Sequence, residues 1–271
     1  MKHKTLYPYM AAAALWLSVM HAPAQAAVML SGGLTHEHNI SAGQQINGVL
    51  TLQNTDNAPA EIKLYQEDSS PEGADAAHQR SNKAWINLST ERVILPPGGS
   101  QNVTYTLNVP SNATEGSYWS MIEIEPVAEQ SAESQLAQQP QEKNAFSVSV
   151  QQKVRYAVAV LANLGNGSAN LTFAAPKVDK NAEGKRVFAM DITNTGNRYT
   201  RPNVSLEVFD NQGSEIASLK GESRGLVPAA NKNFEIDISS LKPGNYKALL
   251  SAEDSNTGQV FGSDVSLTVQ P

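Results

Sequence analysis

Twice in this chain a run of alternating apolar and polar residues ends in an Asn-rich turn, and a Pro-marked turn and a Gly-x-Tyr turn follow in the same order. Alternation with a period of two puts one set of side chains on one face of an extended strand, and the turn residues end it before a helix could form. Leu50, Leu52 and Asn54, with Thr55-Asp56-Asn57, match Met190, Ile192 and Asn194, with Thr195-Gly196-Asn197. Leu95-Pro96-Pro97 matches Leu226-Val227-Pro228, and Gly116-Ser117-Tyr118 matches Gly244-Asn245-Tyr246. The offset between the copies shrinks along the chain because the first carries an extra polar loop, about 67–83. Two copies of one short-strand pattern predict an all-β protein of two tandem Ig-like antiparallel β-sandwich domains. The expected strands are 45–54, 61–66, 84–88, 102–109, 117–124 and 146–160, then 170–174, 186–193, 203–209, 233–238, 246–253 and 260–269. Trp85 and Trp119 lie inside strand patterns of the first copy and are expected to fill its core.

The length of 271 residues accommodates two such domains. Ahead of them stand Lys2, His3 and Lys4, then the apolar run Ala11 to Met20, then Ala24-Gln25-Ala26. A basic start, an apolar stretch too short to span a bilayer and an A-x-A end predict a secretory signal peptide cleaved after Ala26. The expected division is therefore 1–26 signal peptide, 27–162 first domain with a long last strand, and 163–271 second domain, the linker glycines being Gly165 and Gly167. Export points to the periplasm, or alternatively to the cell surface or the medium. The chain has no cysteine, which removes disulfides, thiol catalysis and thiolate metal sites together. Its 26 acidic residues outnumber 20 basic ones, for a net charge of −6, the wrong sign for tracking nucleic-acid phosphates.

Chemistry is sparse. Gly221-Glu222-Ser223-Arg224-Gly225 spells the nucleophile-elbow pattern, but that motif needs a strand-to-helix turn and a histidine after the serine, and no histidine follows His78. It is expected to be a turn between strands. His36-Glu37-His38 puts two imidazoles on one face of a strand, with no evident third ligand, so a solvated edge is expected rather than a metal site. Glu67, Asp68, Glu72 and Asp75 lack calcium-loop spacing and read as a solvated loop. No enzyme, cofactor or metal is expected.

One segment asks for a function. From 146 to 160 the even positions read Phe146, Val148, Val150, Gln152, Val154, Tyr156, Val158 and Val160, against Ser147, Ser149, Gln151, Lys153, Arg155, Ala157 and Ala159. Ordinary strands run about 5–6 residues, so this one outruns its sheet. The polar stretch 128–144 before it has few apolar residues with which to cover it. An exposed apolar edge invites strand addition, and proteins suppress such edges unless they use them.

With two Ig-like domains behind a signal peptide, Tyr118-Trp119 opening a strand, a variable loop and a long alternating strand with basic residues, the chain resembles the periplasmic pilus-assembly chaperones of chaperone–usher systems. The resemblance implies that apolar residues of the long strand insert into the incomplete fold of a pilus subunit. It implies that Phe146, Val148 and Val150 are the donors, and that Arg155, with Lys153 on the same face, grips the subunit's C-terminal carboxylate deep between the domains. It implies exported protein subunits, among them pilus subunits, and an outer-membrane usher as partners. The family's first strand carries an arginine, whereas 27–39 holds no Lys or Arg. The other function that the sequence leaves open is an exported Ig-like scaffold or adhesin module.

Overall fold

The computed structural model describes residues 28–68, 80–127 and 154–270. The expected signal peptide 1–26, most of the polar loop 67–83, the stretch 128–144, and Phe146, Val148, Val150 and Lys153 lie outside the described residues.

The described chain is built of strands. The first sandwich has one sheet in the order β1 (Val28–Ser31), β3 (Gln45–Asn54), β7 (Ser100–Asn108) and β5 (Ile86–Leu88). Against it lies a second in the order β2 (Thr35–Ile40), β9 (Tyr156–Leu164), β8 (Gly116–Pro126), β4 (Ala60–Glu67) and β6 (Arg92–Leu95). Their inward residues, including Leu50, Leu52, Ile62, Leu64, Tyr105, Ile122, Ile124, Val158 and Val160, form one buried core. The second sandwich pairs β12 (Arg186–Asn194) with β10 (Leu171–Phe173), β11 (Lys177–Lys180) and β15 (Asn231–Asp237). Facing them is the order β14 (Glu215–Lys220), β13 (Pro202–Phe209), β16 (Gly244–Asp254) and β17 (Val260–Val269). Pairing is antiparallel except between β2 and β9, which run parallel. The fold is all-β, two Ig-like sandwiches in tandem.

The repeated motifs do repeated work. Asn54 and Asn194 each end their strand fully buried. Asn54 Nδ2 donates to the carbonyls of Ala58, Leu95 and Pro96, at 2.7, 3.2 and 3.1 Å. Asn194 Nδ2 donates to those of Arg198 and Leu226, at 2.8 and 3.2 Å. In both copies the amide thus ties the Asn-rich turn to the Pro-marked turn, which satisfies buried carbonyls that no strand reaches. The tyrosines match as well: Tyr118 donates to the Thr114 carbonyl at 3.0 Å and Tyr246 to the Lys242 carbonyl at 2.8 Å, each four residues back. Such corners are a mark of Ig-like sandwiches. Gly116 precedes the first of these with φ +118°, and a Cβ there would lie 2.6 Å from the Asn197 carbonyl, so only glycine fits.

Several expectations need correction. Trp119 is fully buried, but in the core cluster of the second sandwich, together with Leu161. Along β8 the residues turned into the first core are Tyr118, Ile122 and Ile124, so alternation sends Trp119 out through the other face. Trp85 sits in a single 3-10 turn, Lys83–Trp85, half-buried against the first core, its ring 4.4 Å from that of Tyr118. The long strand expected over 146–160 is described as β9 from Tyr156 to Leu164, four residues past Val160, with Val154 and Arg155 outside the strand. The segment Gly221 to Gly225 joins β14 to β15, strand to strand, as expected of a turn. No helix among the described residues is long and apolar enough to cross a membrane.

Candidate functional site: the open edge of β9 and the face between the sandwiches

β9 does different things at its two ends. At its far end both faces are buried. Val158, Val160, Ala162 and Leu164 point into the first core, while Leu161 and Asn163 point outward and are also buried. The outward face there is made by three adjacent strands: Glu37 and Asn39 on β2, Leu161 and Asn163 on β9, and Trp119 and Ser117 on β8, in direct cross-strand register. The second sandwich covers this face. Its Tyr199 backbone N–H donates to Ser117 Oγ at 2.6 Å, and the Ser117 N–H donates to the Asn197 carbonyl at 2.8 Å. Arg198 donates to the Gly165 carbonyl at 2.9 Å and to Asn39 Oδ1 at 2.6 Å. Glu37 Oε1 accepts from Asn163 Nδ2 at 2.6 Å and from Asn256 Nδ2 at 3.4 Å. An apolar pair, Trp119 and Leu161, flanked by this polar network is a contact that favours one arrangement, since Ser117, Asn39 and Glu37 each meet a partner from the second sandwich.

At its near end β9 has an edge that no described strand covers. β1 belongs to one sheet and β2 to the other, and the chain switches between them through Gly32 and Gly33, both with positive φ. Pairing of β2 with β9 starts only at Thr35 opposite Ala159. Tyr156, Ala157 and Val158 therefore have β8 on one side and, among the described residues, no strand on the other. The Ala159 N–H donates to the Leu34 carbonyl at 2.9 Å on the β2 side. By the two-residue period the Ala157 N–H points the same way, toward the open edge. The core closes at this point: Tyr156 reaches across the sheets to donate to the Val28 carbonyl at 2.9 Å.

Arg155 stands just before this opening. The placement expected for it, deep between the sandwiches, is not met. The second sandwich meets β9 from Leu161 onward, and six residues of extended chain, about 20 Å, separate Arg155 from that contact. Arg155 instead has a partner within its own sandwich: its Nε lies 3.2 Å from Glu123 Oε2, an ion pair lacking the alignment of a hydrogen bond. The carboxylate is buried and the guanidinium more than half exposed. Burial raises the Glu123 pKa, Arg155 pulls it back, and Glu67 and Glu125 raise it further. A carboxylic acid with a raised folded-state pKa costs stability as pH rises from its unfolded value through its folded value. Arg155→Ala removes the group that offsets this cost. The variant is expected to lose modest thermal stability at pH 7 and progressively less as Glu123 takes up its proton, which a series of melting curves from pH 7 to pH 4 would show. A loss independent of pH would mean that the ion pair contributes nothing.

His36 and His38 also depart from expectation. They share a face, as the period requires, but it is the inner face: both are half-buried, and His36 Nδ1 and His38 Nε2 lie 2.9 and 2.8 Å from the hydroxyl of the fully buried Tyr105. Tyr105 was legible only as one residue of the Val103, Tyr105, Leu107 alternation. The missed signal is Gly48, an interruption in an otherwise well-formed strand: a Cβ there would lie 2.1 Å from the Tyr105 ring, so the glycine makes room for it. Ser117, Asn163, Arg198 and Asn256 carried no sequence signal, because polar residues at strand ends look alike until their partner is known.

No family model and no curated protein matches the chain. Solved structures of chaperone–usher fimbrial chaperones are among those it is similar to. One is a chaperone–tip adhesin complex described for CFA/I fimbriae biogenesis, at TM-score 0.46 and 13% identity, covering 90% of this chain and 99% of that one. Another is the Csu chaperone–tip adhesion subunit pre-assembly complex of Acinetobacter baumannii, at 0.44 and 14%, covering 88% and 98%. A third is the Salmonella enterica SafA pilin in complex with the SafB chaperone, at 0.44 and 10%, covering 92% and 99%. At such identity a fold is all that can be shared, and a fold does not fix a function.

Proposed function

We propose that this chain is a periplasmic chaperone that binds exported pilus or surface subunits by β-strand donation, and that it is not an enzyme. The observation that carries the reading is the open edge of β9 at Tyr156–Val158, which continues directly from the alternating segment holding Phe146, Val148 and Val150. An edge that no described strand pairs, preceded in sequence by alternating apolar residues, offers both halves of strand addition, main-chain hydrogen bonds for affinity and side-chain knobs for register. Phe146, Val148 and Val150 are the donors. Arg155, just before that edge, and Lys153, two residues earlier in the sequence, meet the partner's acidic groups rather than its carboxylate between the sandwiches. The proposal includes cleavage of 1–26, the division into 27–162 and 163–271, and an outer-membrane usher as second partner.

The test mixes a pilus subunit with this chain and follows amide hydrogen exchange. Pairing at the edge slows exchange of Ala157 by on the order of tenfold or more, because an N–H that faced open solvent becomes a ladder donor. Binding of the subunit with Ala157 exchange unchanged would overturn strand donation at this edge. Failure to bind any such subunit would overturn the chaperone reading as a whole.

A further inference from the structure

We infer that β2 is an acid-releasable strap: protonation of His36 and His38 frees it from Tyr105 and uncovers the rest of the β9 edge.

The clip has a defined proton count. A phenol has one hydrogen to donate, and Tyr105 sits between two imidazole nitrogens at hydrogen-bond distance. With both rings neutral, the hydroxyl donates to one and accepts from the other, so the hydroxyl and the two nitrogens that face it are satisfied. A further proton on the accepting ring turns that acceptor into a donor. The phenol then faces two N–H groups, and its own hydrogen is left buried without an acceptor, which weakens the clip. The surroundings offer no compensation. β9, the strand paired to β2, turns Val160 and Ala162 inward beside the histidines, and β3 places Gly48 opposite Tyr105. Among the described residues, the titratable groups facing each imidazole are Tyr105, brought by β7, and the other imidazole. Glu37 points from the opposite face of β2 toward Asn163.

Burial lowers the pKa of both rings, and the charge of His36 lowers that of His38 further. The sign follows. A histidine whose folded-state pKa is depressed contributes stability above its ordinary value near 6.5 and loses it as pH falls, because the released strand binds the proton more readily. The strap is closed at neutral pH and loosens on acidification below about 6.5. Release affects the strand that parallels Ala159 to Leu164, so the open edge would lengthen from Tyr156–Val158 toward Leu164. The effect of a longer edge on partner binding rests on the strand-donation reading. The clip does not, and the experiment addresses the clip alone.

Amide hydrogen exchange of the free protein at pH 7.5 and pH 5.0, corrected for intrinsic rates, provides the test. Protection of residues 35–40 is expected to fall by on the order of tenfold, the change that uptake of one proton by the open form produces over one pH unit. The β12 and β15 amides serve as the internal control, since the second sandwich contains no histidine. His36→Gln with His38→Gln keeps a donor and an acceptor for Tyr105 but does not titrate, and it should abolish the difference. Should the pair of changes unfold the protein, His38→Gln alone should reduce it, and proton NMR titration of the wild-type rings should place both midpoints below 6.5. Equal loss of protection in all strands, unchanged protection of β2, or a difference that survives in the glutamine variant would overturn the inference.

Discussion

Phe146→Ser, Val148→Ser and Val150→Ser together are expected to abolish capture of a pilus subunit while leaving the melting temperature of the free protein nearly unchanged. Each of these side chains is worth about 1.5–3 kcal/mol when it passes from water into an apolar groove. Three of them together govern roughly three decades or more of affinity. The free protein does not need them if its core is already closed, and the described core is closed: β9 contributes Val158, Val160, Ala162 and Leu164, and Tyr156 bridges to β1 at the end of the row. The two readouts separate the alternatives. A loss of many degrees in melting temperature would place the three in the core of the first sandwich and favour a scaffold or adhesin. Unchanged stability with unchanged capture would move the binding surface elsewhere. Only the combination of intact stability and lost capture supports donation.

What the sequence could reveal followed the range of each interaction. Period-two alternation and turn residues are local, and they located β3 and β17 to the residue, Gln45–Asn54 and Val260–Val269. The internal repeat was legible because the Asn54 and Asn194 amides and the Tyr118 and Tyr246 corners bond within one sandwich, at similar spacings in both copies. Short edge strands escaped notice. β1, β6, β11 and β14 run four to six residues, too short for an alternation to stand out from that of loops, and β11 is exposed along its whole length. The site was least legible where it depends on which sandwich a side chain meets. His36 and His38 could be placed on one face, but not on the inner one, because the strand switch at Gly32 and Gly33 decides that. Arg155 was expected on the strand and lies one residue before it, and nothing local says that the second sandwich adjoins the far end of β9. Alternation gives the two faces of a strand; it does not say what covers each.

Trp119 is where that ambiguity has the greatest energetic consequence. Its neighbours Tyr118 and Ile122 face the first core, yet its own side chain is fully buried among Leu161, Tyr199 and the other residues of the second cluster. It is thus a first-sandwich residue that completes the second sandwich's core, and with Leu161 directly opposite in register it forms the apolar centre of the seam. Trp119→Ala should cost about 3–5 kcal/mol, the range for truncating a buried aromatic side chain that its surroundings cannot collapse around. Because the loss falls on the contact between the sandwiches, it should also split their unfolding. A single cooperative urea transition in the wild type is expected to become two, with a lower apparent slope, as the shared core stops coupling them. Trp119→Phe offers a graded check. It leaves most of the apolar volume and removes an indole N–H that has no hydrogen-bond partner, so the loss should be markedly smaller and the single transition should survive. If Trp119→Ala cost less than about 1 kcal/mol, or if both sandwiches still unfolded together with an unchanged slope, the seam would not be held by this side chain. The polar contacts from Ser117 to Tyr199 and from Arg198 to Asn39 would then have to hold it alone.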